Sequence, residues 1–206
     1  MNSNPGKRVE DTRSVEYADL LKKKQRVWWK RLFDVQAPYR WNIRRLEPGF
    51  ILDIGCGIGR NLIHLNGQGV GIDHNEQAVR TSRELGLKAF TPEEFQNTDY
   101  AHHLFDTILL AHVAEHMRQQ EVVRLLRGYL HLLKPGGKLI IITPQEAGYR
   151  SDPTHIEFMD FAKLREINSL LDLPVLQEYS FPFPRFAGHV FKYNEFVSVS
   201  LNRLQK

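Results

Sequence analysis

A chain of 206 residues, 42% hydrophobic and 11% aromatic, can bury one substantial core and is too short for two ordinary domains. Its 28 lysines and arginines against 24 acids leave a formal charge of +4, and a single cysteine excludes an intrachain disulfide and suits a reducing compartment. No apolar run approaches the ~18 residues that span a bilayer, and the polar N-terminus lacks a signal-peptide core, so a soluble, cytoplasmic protein is expected.

The positive charge is an N-terminal property. Residues 1–45 carry 12 Lys or Arg against 5 Asp or Glu, leaving +7, whereas residues 46–206 carry 16 against 19, leaving −3. Residues 1–13 read as disordered. Ser14 to Gln36 places Val15, Leu20, Leu21, Val27, Trp28, Leu32 and Val35 at roughly helical spacing among lysines and arginines, which predicts an amphipathic basic helix. Such a helix suits a cap with solvated cations, or contact with a membrane surface or other anionic surface or substrate. No interleaved RNA-binding signature or known nucleic-acid module is present, so nucleic acid is not the expected partner. Ala37 to Leu46 predicts a second short helix with Pro38 near its start.

Phe50 to Ile54 reads as a short buried strand, followed by Gly55-Cys56-Gly57-Ile58-Gly59 and then a helix from Asn61. Glycines let the backbone turn tightly and approach a ligand, so the ligand sits at a strand end and helix start. A dinucleotide fingerprint needs G-x-G-x-x-G, and here Arg60 occupies the place of the third glycine, which disfavours a nicotinamide dehydrogenase. Cys56 is expected as a small filler within the turn. Gly69 to Ile72 is a second apolar strand ending in Asp73, 18 positions after Gly55, where a carboxylate can accept both ribose hydroxyls of an adenosine. An N-cap for the helix from Asn75 to Leu85 is the other use for Asp73.

Leu87 to Phe90 predicts a third strand, with Phe90-Thr91-Pro92 as the loop at its end. Leu104 to Ala111 predicts a fourth strand running into the polar tip His112-Val113-Ala114-Glu115-His116. Pro135-Gly136-Gly137 closes a helix and opens a fifth strand through Thr143, and Pro174–Ser180 and His189–Leu201 supply two more, the last antiparallel. The fold expected is therefore α/β, a Rossmann-like doubly wound seven-stranded sheet with the last strand antiparallel, plus an N-terminal helical cap.

The D-x-G-x-G-x-G form at Asp53–Gly59, with Asp73, the fourth-strand segment and the Pro-Gly-Gly turn in order, resembles class I S-adenosylmethionine-dependent methyltransferases over roughly residues 38–145. The resemblance implies one methyltransferase domain over 14–206, with a cap at 14–46, a cofactor-binding core at 50–145, and substrate loops and last strands at 146–206. It also implies S-adenosylmethionine as cofactor, its amino-acid end received by the turn of Asp53, Gly55, Cys56, Gly57 and Gly59 and its ribose by Asp73 with His74 beside it. The third-strand tip, Phe90 and Thr91, borders the adenine, although the acid many relatives carry there is missing. The fourth-strand tip, Ala111 and His112, completes that set. A Pro-x-Arg segment like that of ubiquinone-biosynthesis-type O-methyltransferases implies Arg40 as the grip on the cofactor carboxylate, a role open also to Arg44 or Arg45.

His112-Val113-Ala114-Glu115-His116 matches the H-x-x-E-H of inverzincin proteases, but those histidines share one helix, whereas His112 here follows directly on a strand. In ubiquinone-type O-methyltransferases the matching E-x-x-E-H supplies ligands to a divalent ion. Here the first glutamate is replaced by His112, and no metal is assigned. The loop from Thr143 to Phe158 lies where strand ends open onto the cofactor and chooses the acceptor. His155 within it and His116 are the competing candidates for a general base acting on an acceptor hydroxyl. Phe181-Pro182-Phe183-Pro184-Arg185 reads as a rigid aromatic loop walling the acceptor pocket or covering the sheet edge. The expected activity is methyl transfer to a small-molecule acceptor, at a hydroxyl oxygen. The alternatives are an RNA or protein methyltransferase using the basic arm, and a non-catalytic cofactor-binding partner subunit.

Overall fold

The structure is a computed structural model that describes Asp34 and residues 36–203. The expected disordered segment 1–13 and nearly all of the basic amphipathic helix lie outside the described residues. What is described begins with α1 (Ala37–Arg45), which carries Pro38 in its first turn and Arg44 and Arg45 in its last, where they complement the helix dipole. Strand β1 (Ile51–Ile54) then leads through the glycine turn into the short α2 (Arg60–His64).

The chain continues as β2 (Gly69–Ile72), α3 (Glu76–Glu84), β3 (Ala89–Phe90) and α4 (Pro92–Phe95). After β4 (Phe105–Ala111) come α5 (Gln119–Tyr129), β5 (Leu133–Pro144), α6 (Glu146–Tyr149) and α7 (Phe161–Leu170). Strands β6 (Val175–Phe181) and β7 (Glu195–Leu201) complete it. All seven strands join one sheet in the order β3-β2-β1-β4-β5-β7-β6, parallel throughout except for β7, which is antiparallel to both β5 and β6. This is the doubly wound seven-stranded arrangement expected from the sequence.

The central strands are buried on both faces, so their apolar residues run continuously and parity sorts them into two layers. Leu52, Ile54, Ile108, Leu110, Leu139, Ile141 and Phe196 face α5 and α7, packing on Val122, Leu126, Leu164 and Ile167. Ile51, Leu109, Ile140, Ile142 and Val197 face the other way, onto Ile43 and Leu46 of the α1 end and Leu62 of α2.

Three local expectations are corrected. Asn75, not Asp73, caps α3, its side chain accepting the Ala78 N–H at 3.0 Å, while Asp73 accepts the Asn75 N–H. Strand β3 shrinks to two residues because Leu87 and Lys88 form the run-in and α4 begins at once under a Thr91–Glu94 capping box. The Pro-Gly-Gly turn lies inside β5: pairing jumps from Phe105↔Leu133 to Thr107↔Lys138, so residues 134–137 bulge out of the ladder. A Cβ on Gly137 would approach the Lys134 carbonyl to 2.8 Å and the Asp106 carbonyl to 3.0 Å, so the bulge needs a glycine there.

Phe196 is fully buried, with its ring edge-on to Phe158 at 5.9 Å and to Phe161 at 4.7 Å. Phe196→Ala is expected to cost about 3–5 kcal/mol of unfolding free energy, read by urea denaturation of the ligand-free protein.

Candidate active site

Strand order reverses between β1 and β4, so the chain leaves these neighbours in opposite directions and their carboxyl ends border a crevice. The glycine turn opens onto it. Gly55, Gly57 and Gly59 all have positive φ, at 73°, 54° and 80°. A Cβ on Gly55 would come within 2.3 Å of Val113 Cγ2, and one on Gly59 within 2.5 Å of Ser82 Oγ, whereas Gly57 faces open space. The outer two glycines are there for packing and the middle one for approach. The turn is tied to the second strand: Gly55 N–H and Cys56 N–H both donate to the Ile72 carbonyl, and Gly57 N–H donates to Asp73 Oδ2 at 2.7 Å.

Two carboxylates define this part of the crevice. Asp73 uses Oδ2 for Gly57 and Oδ1 for Asn75 N–H at 2.8 Å, which leaves a lone pair on each oxygen for a further donor. Asp53 is different. It is fully buried on β1, and neither carboxylate oxygen has a hydrogen-bond partner. Burial pushes its pKa up to about 7, with the Asn61 side chain and the Arg60 charge pulling the other way. An orphaned buried carboxylate beside a glycine cradle calls for a cationic ligand group.

The profile of a methyltransferase-domain family matches residues 24–204 of the chain. The protein belongs to that methyltransferase family. No curated protein matches the sequence. A TehB-like S-adenosylmethionine-dependent methyltransferase from Corynebacterium glutamicum superposes with a TM-score of 0.64 at 17% identity, over 92% of this chain and all of the other. A methyltransferase of the same cofactor from Archaeoglobus fulgidus gives 0.60 at 17% identity, over 84% of this chain and 98% of that one. The magnesium protoporphyrin IX methyltransferase of Synechocystis with bound S-adenosylmethionine gives 0.55 at 15% identity, over 95% and 88%.

The cofactor of this methyltransferase is S-adenosylmethionine, and the residues present suit it. Its ammonium or sulfonium charge would answer the orphaned Asp53, its ribose hydroxyls would donate to the remaining lone pairs of Asp73, and Gly57 leaves room for close approach. His74, with its side chain 47% exposed, stands 4.0 Å from Asp73. The Cys56 thiol packs against Gly71 and burial pushes its pKa well up, so it is a filler and not a nucleophile. Phe90 is half-buried beneath the Arg83 guanidinium, and the Thr91 hydroxyl is occupied in capping α4, accepting the Glu94 N–H. Arg40 spends its guanidinium on Asp34 at 2.5 Å. Arg44 donates to the His64 carbonyl, and Arg45 to Asn42. The arginine whose charge bears on Asp53 is Arg60, the first residue of α2, whose place in the sequence signals only a missing third glycine.

Beyond Ala111 the tip of β4 turns sharply. His112 adopts φ 58°, a conformation few non-glycine residues take and one that clusters at functional sites. Its imidazole bridges two carboxylates, with Nε2 at 2.8 Å from Glu195 Oε1 and Nδ1 at 3.5 Å from Glu115 Oε1. Burial opposes the charge, but the two glutamates win and hold its pKa at about 9. Glu195 is paired with Pro144 at the end of β5 and reaches across that strand to β4. Nothing in the sequence announced it, because the contact spans 83 positions.

Glu115 is 1% exposed and its Oε2 has no partner. His116 and His155 meet it there, their rings 4.8 Å apart, and one nitrogen of each lies within 4.8 Å of a Glu115 oxygen and of the other. Burial lowers the pKa of His116, so it is neutral at physiological pH. His155 stacks on Tyr149 at 5.3 Å and lies 4.0 Å from Glu115. Both sequence candidates for a base therefore share one cluster at the crevice edge. The spacing also suits a divalent ion, although among the described residues only three ligands converge.

Since only the ionised form of Asp53 attracts a cation, S-adenosylmethionine affinity should fall as pH drops below 7, approaching tenfold per pH unit. Asp53→Asn should remove that dependence and weaken binding by about 10–100-fold in calorimetry. The same substitution should stabilise the ligand-free protein at pH 8: a carboxylate with raised folded pKa adds stability below the unfolded value near 4 and loses it as pH rises through 7.

His112 behaves as a group whose folded pKa is raised, so its stabilisation is complete below ~6.5 and lost as pH rises through about 9. The difference in melting temperature between wild type and His112→Gln should accordingly shrink between pH 7 and 9.5.

Proposed function

We propose that the methyltransferase places its methyl group on a hydroxyl oxygen of a small-molecule acceptor. The observation that supports this is the cluster of Glu115, His116 and His155, which presents neutral imidazole at the carboxyl edge of the sheet. S-adenosylmethionine supplies an already activated sulfonium methyl, so the chain's task is to align the acceptor, exclude water and remove one proton. A hydroxyl is a poor nucleophile until its proton leaves, and a neutral imidazole within reach contributes a further ~10²–10⁴-fold. Glu115, buried beside both rings, steadies the imidazolium that forms.

The walls around the cluster suit a compact, partly aromatic acceptor. Tyr149 of α6 and Phe158 lie edge to face at 5.2 Å beside His155. The connection from β6 to β7 starts at the same end of the sheet, where Phe181 pairs with Glu195. Its Phe183 packs on Phe191, and Arg185 is held by Glu146 of α6.

Incubation with S-adenosylmethionine labelled in the methyl group and a panel of phenols, sugars and hydroxylated lipids should yield an O-methyl product. His116→Gln should lower kcat by about 10²–10⁴-fold while leaving S-adenosylmethionine affinity unchanged. A product whose new methyl lies on nitrogen or carbon would overturn the proposal.

A further inference from the structure

The two histidines of the cluster are held in different ways, and the difference assigns their protons. Thr154 closes a short turn in which its N–H donates to Asp152 Oδ1 at 3.0 Å and its hydroxyl donates to the same oxygen at 2.7 Å. The hydroxyl has only one proton. With that proton committed to Asp152, Thr154 Oγ1 can only accept from its other neighbour, His116 Nδ1, 3.1 Å away. The Thr154 carbonyl, 3.4 Å from the same nitrogen, is likewise an acceptor. Nδ1 of neutral His116 must therefore carry the proton, and Nε2 is the bare nitrogen.

His155 is locked from another side. Its Nδ1 donates to the Tyr149 carbonyl at 2.7 Å, its ring lies flat against Tyr149, and its side chain is only 8% exposed. Its Nε2 faces Glu115 at 4.0 Å. His116 has charge support on both sides: Asp152 through Thr154, and Glu115 across the cluster.

We infer that Asp152 and Thr154 are positioning residues that fix His116, and not His155, as the proton acceptor, with Nε2 toward the substrate. The inference rests on the hydroxyl-transfer reading above. In the step it describes, the O–CH3 bond forms as the C–S bond breaks with sulfur keeping the electron pair. The acceptor's O–H proton passes to His116 Nε2, and from there to solvent. Asp152 is held ionised: burial acts against the charge, and the two hydrogen bonds from Thr154 outweigh it. The imidazolium thus meets a carboxylate through the Thr154 hydroxyl, as in other relays that orient a histidine from behind.

The test is imidazole 15N NMR on the full chain with S-adenosylhomocysteine bound, His116 being assigned by the signal lost in His116→Gln. At a pH above its titration, wild-type His116 should show a protonated Nδ1 and a bare Nε2. Thr154→Ser should keep that pattern, and Thr154→Val should move the proton toward Nε2. With a hydroxyl acceptor in hand, Thr154→Val should lower kcat by about tenfold or more at unchanged KM, and Thr154→Ser should restore it. A wild-type His116 protonated on Nε2, or a Thr154→Val spectrum identical to wild type, would sink the relay. One equivalent of Zn²⁺ binding at both Nε2 positions would also overturn it, by assigning those lone pairs to a metal. Because the tautomer is read without any acceptor, an N- or C-methylated product would defeat the hydroxyl reading while leaving the tautomer result to stand.

Discussion

Everything in this molecule hangs on the parallel pairing of β1 with β2 on one side and β4 on the other. Register aligns Ile54 with both Ile72 and Leu110, so the three strands end level, and the chain leaves β1 and β4 in opposite directions. A crevice at that point is a geometric necessity, and the polar residues just past the three strand ends converge on it. The bonds from Gly55, Cys56 and Gly57 to Ile72 and Asp73 then lock the glycine turn to the second strand. A change at the tip of β2 is thereby felt in the cradle.

The site costs the fold stability. Asp53 has both carboxylate oxygens buried without a partner, and Glu115 has one. An orphaned buried carboxylate oxygen is expensive, and these persist at the crevice end of the sheet. The two acids differ in how the chain manages them. Glu115 has a counterion in His112, itself shared with Glu195, so its negative charge is balanced from within. Asp53 has no comparable partner in hydrogen-bonding geometry, and its ionisation is left to be settled by the ligand.

The glycine turn and the acids at the strand tips were largely legible in the sequence because they are built from local segments. Asp53 and the three glycines are one turn, and Asp73 ends the next strand. The periodicity that marks each strand also places the residue at its tip. Local capping at Asp73 and Thr91 was less legible. Asn75 took the capping role that Asp73 was the other candidate for, and Thr91, counted with the adenine, caps α4 with its hydroxyl. Side-chain oxygens compete for backbone N–H groups within two or three residues, and sequence patterns do not rank that competition.

By itself, the sequence determined the fold class, the order of elements, the cofactor chemistry and the loops that meet the crevice, since strand periodicity, glycine conformation and acid placement are properties of short stretches. Only the tertiary structure decided which side chains act together. It brought Glu195 from the antiparallel last strand to His112, set His155 against His116 and Glu115 across 39 positions of chain, and turned Arg40 to Asp34 while leaving Arg60 beside Asp53. The physical reason is that hydrogen-bond partners and pKa values depend on packing between elements remote in the chain, which no local pattern encodes.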